Sequence, residues 1–362
     1  MVTIPLLKPH MPELGQDFLD VVKSGNLSGG SKMRRFEDSL SRWVGSERVV
    51  AVNSFNSAIY VALATIGVGA GDKVIASPMG CLASLLPVRA AGVSVVWADV
   101  DPLTGTLDPA SVERCMGPET KAVIHNHFCG YPGRIDEINE VAHSYGVKVI
   151  DDGIEAFGAQ YRDRSIGASG ADATVFSFGP VRIPNTVDGG AVVVDDEELF
   201  ERARLLRDCG VDRSRFRDSM GEIDGSCDVL LPGISAKMSE LNAFIGLSQM
   251  EYVEELLNKQ KENADAWKSV LVSENVQPVG SADAAPSWWV FGVLAEQKKA
   301  FIEESRSRGF WASGVHADLS QYSIFGGREC SLPGVDEFAS RFVALPCGWW
   351  VERDEIHGFS CS

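Results

Sequence analysis

The sequence predicts an α/β protein: a large domain on a mainly parallel seven-stranded sheet, followed by a smaller α/β C-terminal domain. Two observations predict it. Seven short apolar runs rich in β-branched residues recur before residue 195, and helical patterns separate most of them. Strands alternating with helices are βαβ units, which build parallel sheets. Past residue 196 the pattern changes to long helices and short spaced strands. A chain of 362 residues has room for two domains. We expect the large one over 1–245 and the small one over 246–362.

The expected strands are Val49–Val52, Lys73–Ala76, 93–98, 122–125, 147–150, 173–178 and 191–194. Several are almost continuously apolar, as strands covered on both faces are. The segment 57–66 places Ala58, Val61, Ala62 and Ile66 at helical spacing, and 134–145 does so with Ile135, Ile138 and Val141. An amphipathic helix follows at 197–208. The polar stretch 211–229 is long for a passive connection and reads as a lid or a loop crossing to another subunit. A long helix is expected over 239–264, with Ser239 as N-cap and Leu241, Ile245, Tyr252 and Leu256 on one face. The remainder contributes a strand at 288–294 and a helix at Lys298–Ser307. No internal repeat is present.

Composition excludes several classes. There are 33 basic and 50 acidic residues, a net charge of −17. Nucleic acid and anionic membranes need a basic footprint, so neither is an expected partner. No apolar run is long enough to span a bilayer, and the N-terminus lacks the apolar core of a signal peptide. None of the eight cysteines is spaced as CxxC. We expect no metal site, free buried thiols and a reducing, cytoplasmic setting.

Ligands of open α/β sheets bind outside the carboxyl ends of the strands, so chemistry is sought there. The glycines of Gly67-Val-Gly-Ala-Gly71 follow a helix and precede a strand, the reverse of a dinucleotide-binding loop. The run at 147–150 ends in Asp151 and Asp152, with Glu155 three positions on. Helix capping explains such acids as well as chemistry does. The run at 173–178 ends near Ser177, and two prolines hold the following segment, with Arg182, out of helix. An arginine on a loop is most often simply exposed.

Together these residues resemble the DegT/DnrJ/EryC1/StrS family of sugar aminotransferases. The resemblance rests on the order of short motifs along nearly the whole chain: 25–30, Arg35-Phe36-Glu37, 53–58, 69–72, 98–101, 149–159, Phe176-Ser177-Phe178, Asp188-Gly189-Gly190, 233–241 and Leu345-Pro346. It implies the aminotransferase fold of type I, pyridoxal phosphate (PLP) chemistry on a small molecule, and a homodimer with shared active sites. It implies cofactor contacts from Asn56, Ser57, Cys81, Asp152, Ser177 and Ser235. It implies substrate contacts from His127, Lys237 and His316, with Trp288 and Trp289 nearby.

The chain departs from the family where the cofactor would sit. Five residues after Ser177, where the family has the lysine that binds PLP as an imine, stands Arg182. An arginine stays protonated in proteins and cannot attack an aldehyde. The stacking aromatic becomes Cys81. The phosphate turn reads Ser54-Phe55-Asn56, with a phenylalanine for a glycine. Glu155 stands where a neutral side chain faces the cofactor's phenolic oxygen, and Ser235 replaces an asparagine. Asp152, the partner of the pyridine nitrogen, and Ser177 remain. We therefore expect Arg182, Glu155 and Asp152 to share one pocket and to carry its chemistry. The favoured reading is an enzyme of a biosynthetic pathway that acts without transamination on a small anionic or sugar-linked metabolite. Two alternatives stay open: PLP or its amine form held non-covalently, as in dehydratase-like relatives, and a non-catalytic partner of an active homologue.

Overall fold

The computed structural model describes residues 3–271 and 275–359. Its centre is a seven-stranded sheet. The strands are β1 (Val49–Val52), β2 (Lys73–Ala76), β3 (Ser94–Trp97), β4 (Thr120–Asn126), β5 (Lys148–Asp152), β6 (Ala173–Ser177) and β7 (Gly190–Val193). They lie in the order β1-β7-β6-β5-β4-β2-β3. All neighbours are parallel except at β7, which runs antiparallel to both β1 and β6. The reason is the connection. A parallel partner needs a crossover, usually helical, and residues 178–189 between β6 and β7 contain no helix.

Strand alternation sends successive side chains to opposite layers. Val50, Val52, Val74, Ile124, Val175 and Val192 join one buried cluster with helix α2 (Phe55–Thr65). Ala51, Ile75, Val123, Val149, Phe176 and Val193 join another, with α1 (Ser31–Val44) and α4 (Ile135–Ser144). Helix α3 (Leu82–Ala90) packs on α2. The helices α5 (Glu197–Arg207), α6 (Glu240–Met250) and α7 (Val253–Val270) follow the sheet.

The expected single helix over 239–264 is two helices, α6 and α7, parted at Glu251 and Tyr252. The apolar spacing continues across the break. At the break the Tyr252 N–H turns back to the Gln249 carbonyl at 2.9 Å, and the Tyr252 ring meets His10 from the chain's beginning. The expected domain boundary at 245 falls inside α6, and a helix interior is a poor hinge.

A second sheet is antiparallel, in the order β8 (Val276–Pro278), β9 (Phe291–Ala295), β10 (Phe342–Leu345). The strand expected at 288–294 starts three residues later. Trp288 adopts φ +58°, outside extended conformation. This sheet packs with Trp267 of α7, which is fully buried against Phe291, Phe310 and Phe359 and donates its indole N–H to the Pro346 carbonyl at 2.9 Å. The helix α8 (Lys298–Ser307) ends in a run that leads to His316.

Seven free cysteines lie among the described residues, and Cys361 lies outside them. Only Cys129 and Cys347 are buried, so the expectation of uniformly buried thiols is corrected. Among the described residues no helix is long and apolar enough to cross a membrane.

Candidate active site

The chemistry-bearing side chains gather at the carboxyl ends of β4, β5 and β6. Cys129 lies just past β4, Glu155 just past β5, Ser177 ends β6, and Arg182 stands in the loop that returns to β7. A turn between the Arg182 N–H and the Gly179 carbonyl, 3.0 Å, fixes that loop.

Glu155 is the hub. Its Oε2 accepts the backbone N–H of Cys129 at 2.9 Å. Its Oε1 lies 2.8 Å from His316 Nε2 and accepts from Arg182 Nη2 at 3.4 Å. Burial alone would raise this carboxyl. The His316 and Arg182 charges and the Cys129 N–H outweigh it, so Glu155 is held below its ordinary value. The Arg182 guanidinium stacks over the Trp289 ring at 4.5 Å. Trp289 in turn donates its indole N–H to the Val181 carbonyl at 2.9 Å and stacks on the His316 ring. Ser287 Oγ donates to the Glu155 carbonyl at 2.7 Å. Glu155, Ser177, Arg182, Ser287 and Trp289 line a narrow cleft, and no lysine is among its lining residues. Arg182 Nη1 is buried with no hydrogen-bond partner among the described residues.

The expectation that Asp152 shares this pocket is corrected. Asp152 is fully buried and lines a separate small cavity with Cys81, Ser84 and Asn126. The cause is direction along the strand. Asp152 is still within β5 and faces α3, whereas Glu155 lies in the turn beyond. Asp152 Oδ1 accepts from the Ile154 N–H at 3.0 Å, and Oδ2 has no partner among the described residues. Burial pushes its pKa up to about 6. Burial and the nearby Glu155 push the Cys81 thiol up to about 11, as for an inert thiol.

The other sequence candidates are placed as follows. Asn56 and Ser57 lie in the first turn of α2, where Ser54 Oγ accepts the Ser57 N–H at 3.1 Å. Phe55 between them is buried. Ser235 accepts from the Asn53 side chain through its carbonyl at 3.2 Å. Lys237 pairs with Asp208 at 3.0 Å and lines neither cavity. His127 is buried beneath the site: Nδ1 accepts the Gly133 N–H at 3.1 Å and Nε2 lies 2.9 Å from Asp151. Those are the contacts of a scaffold histidine. His316, stacked on Trp289, does join Glu155 and through it Arg182.

Sequence reasoning missed Cys129 and Ser287. Cys129 had a signal, since it lies two positions past the His127 that follows β4. Ser287 had none, because it reaches Glu155 from more than a hundred residues away.

The strand order of the sheet and the helix layers on both its faces give the chain the α/β fold of the aminotransferases. The chain belongs to the DegT/DnrJ/EryC1/StrS aminotransferase family, whose model matches residues 11–358. It is 29% identical over 354 residues to the spore coat polysaccharide biosynthesis protein SpsC of Bacillus subtilis, covering 94% of this chain and 91% of that one. Among solved structures, AtS13 from Actinomadura melliaura superposes with a TM-score of 0.92 at 32% identity, covering 99% and 98% of the two chains. The sugar aminotransferase CalS13 from Micromonospora echinospora gives a TM-score of 0.91 at 30% identity, covering 98% and 97%.

The fold's cofactor is PLP. Asp152, with a buried unpartnered carboxylate oxygen, fits a protonated pyridine nitrogen. The rest does not fit a covalently held cofactor. The cleft cavity presents a guanidinium and no amine, and the buried Phe55 side chain stands in the first turn of α2.

Proposed function

We propose that this protein is a lysine-less member of its family, an enzyme that binds a small anionic or sugar-linked metabolite in the cleft and does not transaminate it. One observation carries the reading. Where an amine is needed to tether an aldehyde, the cleft holds Arg182, anchored by Glu155 at 3.4 Å, with Nη1 buried and unpartnered. A buried guanidinium nitrogen without a partner is costly unless a ligand supplies an acceptor. Arginine binds carboxylates and phosphates through paired hydrogen bonds, and Trp289 beneath it keeps it planar to the cleft. Glu155 orients Arg182 and His316, while Ser177 and Ser287 offer neutral hydroxyls to the same cavity.

The relatives' roles in polysaccharide biosynthesis and sugar amination support a biosynthetic, sugar-linked substrate. We also propose a homodimer. Met220 and Leu230, 80% and 83% exposed in the irregular stretch after α5, are apolar side chains a partner would cover.

The second reading, PLP or its amine form held without a covalent bond, is favoured by the unpartnered Oδ2 of Asp152. One experiment separates them. The purified protein is incubated with PLP, scanned for absorbance, treated with borohydride and weighed. The first reading expects neither colour nor added mass. Colour without a mass increase supports the second, and a pyridoxyl-lysine adduct refutes both. Arg182→Lys is the complementary variant: if it alone restores an aldimine and amine transfer, the pocket is still built for the cofactor.

A further inference from the structure

Two clusters of metal-ligating side chains lie outside any reading of the sequence. The first joins His125, His127 and Asp151, whose donor atoms lie within 4.8 Å of one another. His125 faces Asp151 across neighbouring strands. His127 excludes it. Its Nδ1 already accepts the Gly133 N–H, so Nε2 carries the proton and faces Asp151. No lone pair is left for an ion.

In the second cluster His316 Nε2 donates to Glu155 Oε1 at 2.8 Å, but among the described residues no hydrogen bond holds its Nδ1, so the ring proton can pass to Nδ1 and free Nε2 for an ion. Cys129 Sγ, a Glu155 carboxylate oxygen and a His316 ring nitrogen lie within 4.8 Å of one another. In a tetrahedral zinc site the donors stand about 3.3–3.6 Å apart, given metal bonds of about 2.0–2.3 Å. The Nε2–Oε1 separation of 2.8 Å would widen by about half an ångström, and the separations from Sγ, at most 4.8 Å, would close by at most about 1.5 Å. We propose that Cys129, Glu155 and His316 form a site for a divalent transition-metal ion of the zinc class in the cleft beside Arg182.

The surroundings hold these groups where an ion needs them. The His316 ring is stacked on Trp289 and meets the edge of Phe128. Glu155 is fixed by the Cys129 N–H and by Arg182, and a carboxylate has lone pairs enough to keep both while binding an ion. Such supporting contacts orient metal ligands. Thiolate, imidazole and carboxylate together select zinc or cobalt over magnesium or calcium. Binding releases to solvent the Cys129 thiol proton and, from a charged His316, one ring proton, so that Nε2 offers its lone pair. The thiolate and carboxylate then balance the ion's two charges. Three protein ligands leave a position open, as in catalytic zinc sites, where the ion polarises a bound water or a carbonyl. This deepens the functional reading above by giving the cleft a chemistry that needs no imine. The ligands come from three distant segments, so no sequence spacing reveals them.

The test uses the full chain, stripped with a chelator and titrated with Co²⁺ at neutral pH. One ion per chain is expected, with a sulfur-to-cobalt charge-transfer band. Cys129→Ser should abolish the band and weaken binding at least about 100-fold, more than the loss of a supporting contact costs. His316→Ala, at a half-buried position, should weaken it similarly. The exposed Cys330→Ser should change nothing. Circular dichroism confirms that each variant folds; should Cys129→Ser fail to, His316→Ala decides alone. Absence of saturable binding, or a band that survives Cys129→Ser, overturns the site. A pyridoxyl adduct would refute the lysine-less reading without altering this titration, so the two failures are distinguishable.

Discussion

Replacing Asp152 with asparagine should stabilise the protein above about pH 6 and leave it nearly unchanged in acid. Asparagine keeps the shape and removes the charge. In the folded chain burial pushes the Asp152 pKa from its ordinary 3.8 up to about 6. A carboxyl raised on folding favours the folded state fully below the unfolded value, and that advantage is lost as pH rises through the folded value. The gap corresponds to about 3 kcal/mol of destabilisation at pH 8. Asp152→Asn should therefore gain about 3 kcal/mol at pH 8, about half that near pH 5, and little below pH 4. Urea unfolding of both proteins across this range measures it. Other titrating groups are common to both and cancel in the difference. Equal stability at pH 8, or an advantage that grows in acid, would refute the burial argument.

Four further outcomes follow from the same structure. Arg182→Met should cost about 2–4 kcal/mol in urea unfolding, because it leaves Glu155 buried with one cation fewer, and adding Glu155→Gln should recover most of it. Glu240→Ala should cost about 2–3 kcal/mol, since that buried carboxylate accepts the N–H groups of Gly30, Lys32 and Met33 at the start of α1; a thermal scan would show the drop. Gly210→Ala should destabilise by more than about 2 kcal/mol, because φ there is +75° and a Cβ would lie 2.0 Å from the Leu231 carbonyl oxygen. Alkylation followed by mass spectrometry should label Cys209 and Cys330 well before Cys81, whose thiol is pushed up to about 11.

The core strands were legible because their signal is local. Val49–Val52 and Lys73–Ala76 begin and end where the sequence places them, and the other five differ by one or two residues at an end. Several are almost continuously apolar between turn residues, and neither property depends on the rest of the chain. For β7 the two prolines that keep the preceding segment out of helix carried a signal against a crossover, but which strands it would lie between was not legible. The break between α6 and α7 was not legible either. Leu241, Ile245, Tyr252 and Leu256 keep helical spacing through it, and the residue that meets Tyr252 is more than two hundred positions away.

The candidate site divides in the same way. Which residue types stand at the carboxyl ends of the strands is written in the chain: Asp152, Glu155, Ser177 and Arg182 are found by counting. Their grouping is not. Asp152 and Glu155 are three residues apart yet line different cavities, because one still belongs to a strand and the other to the turn after it. His316, Trp289 and Cys129 reach Glu155 and Arg182 only through the folded chain. Sequence alone determined the layered sheet and the guanidinium in its cleft, since periodicity and side-chain chemistry act within a few residues. Tertiary structure alone decided which charges meet, because burial and Coulomb contact depend on distances that chain spacing does not set.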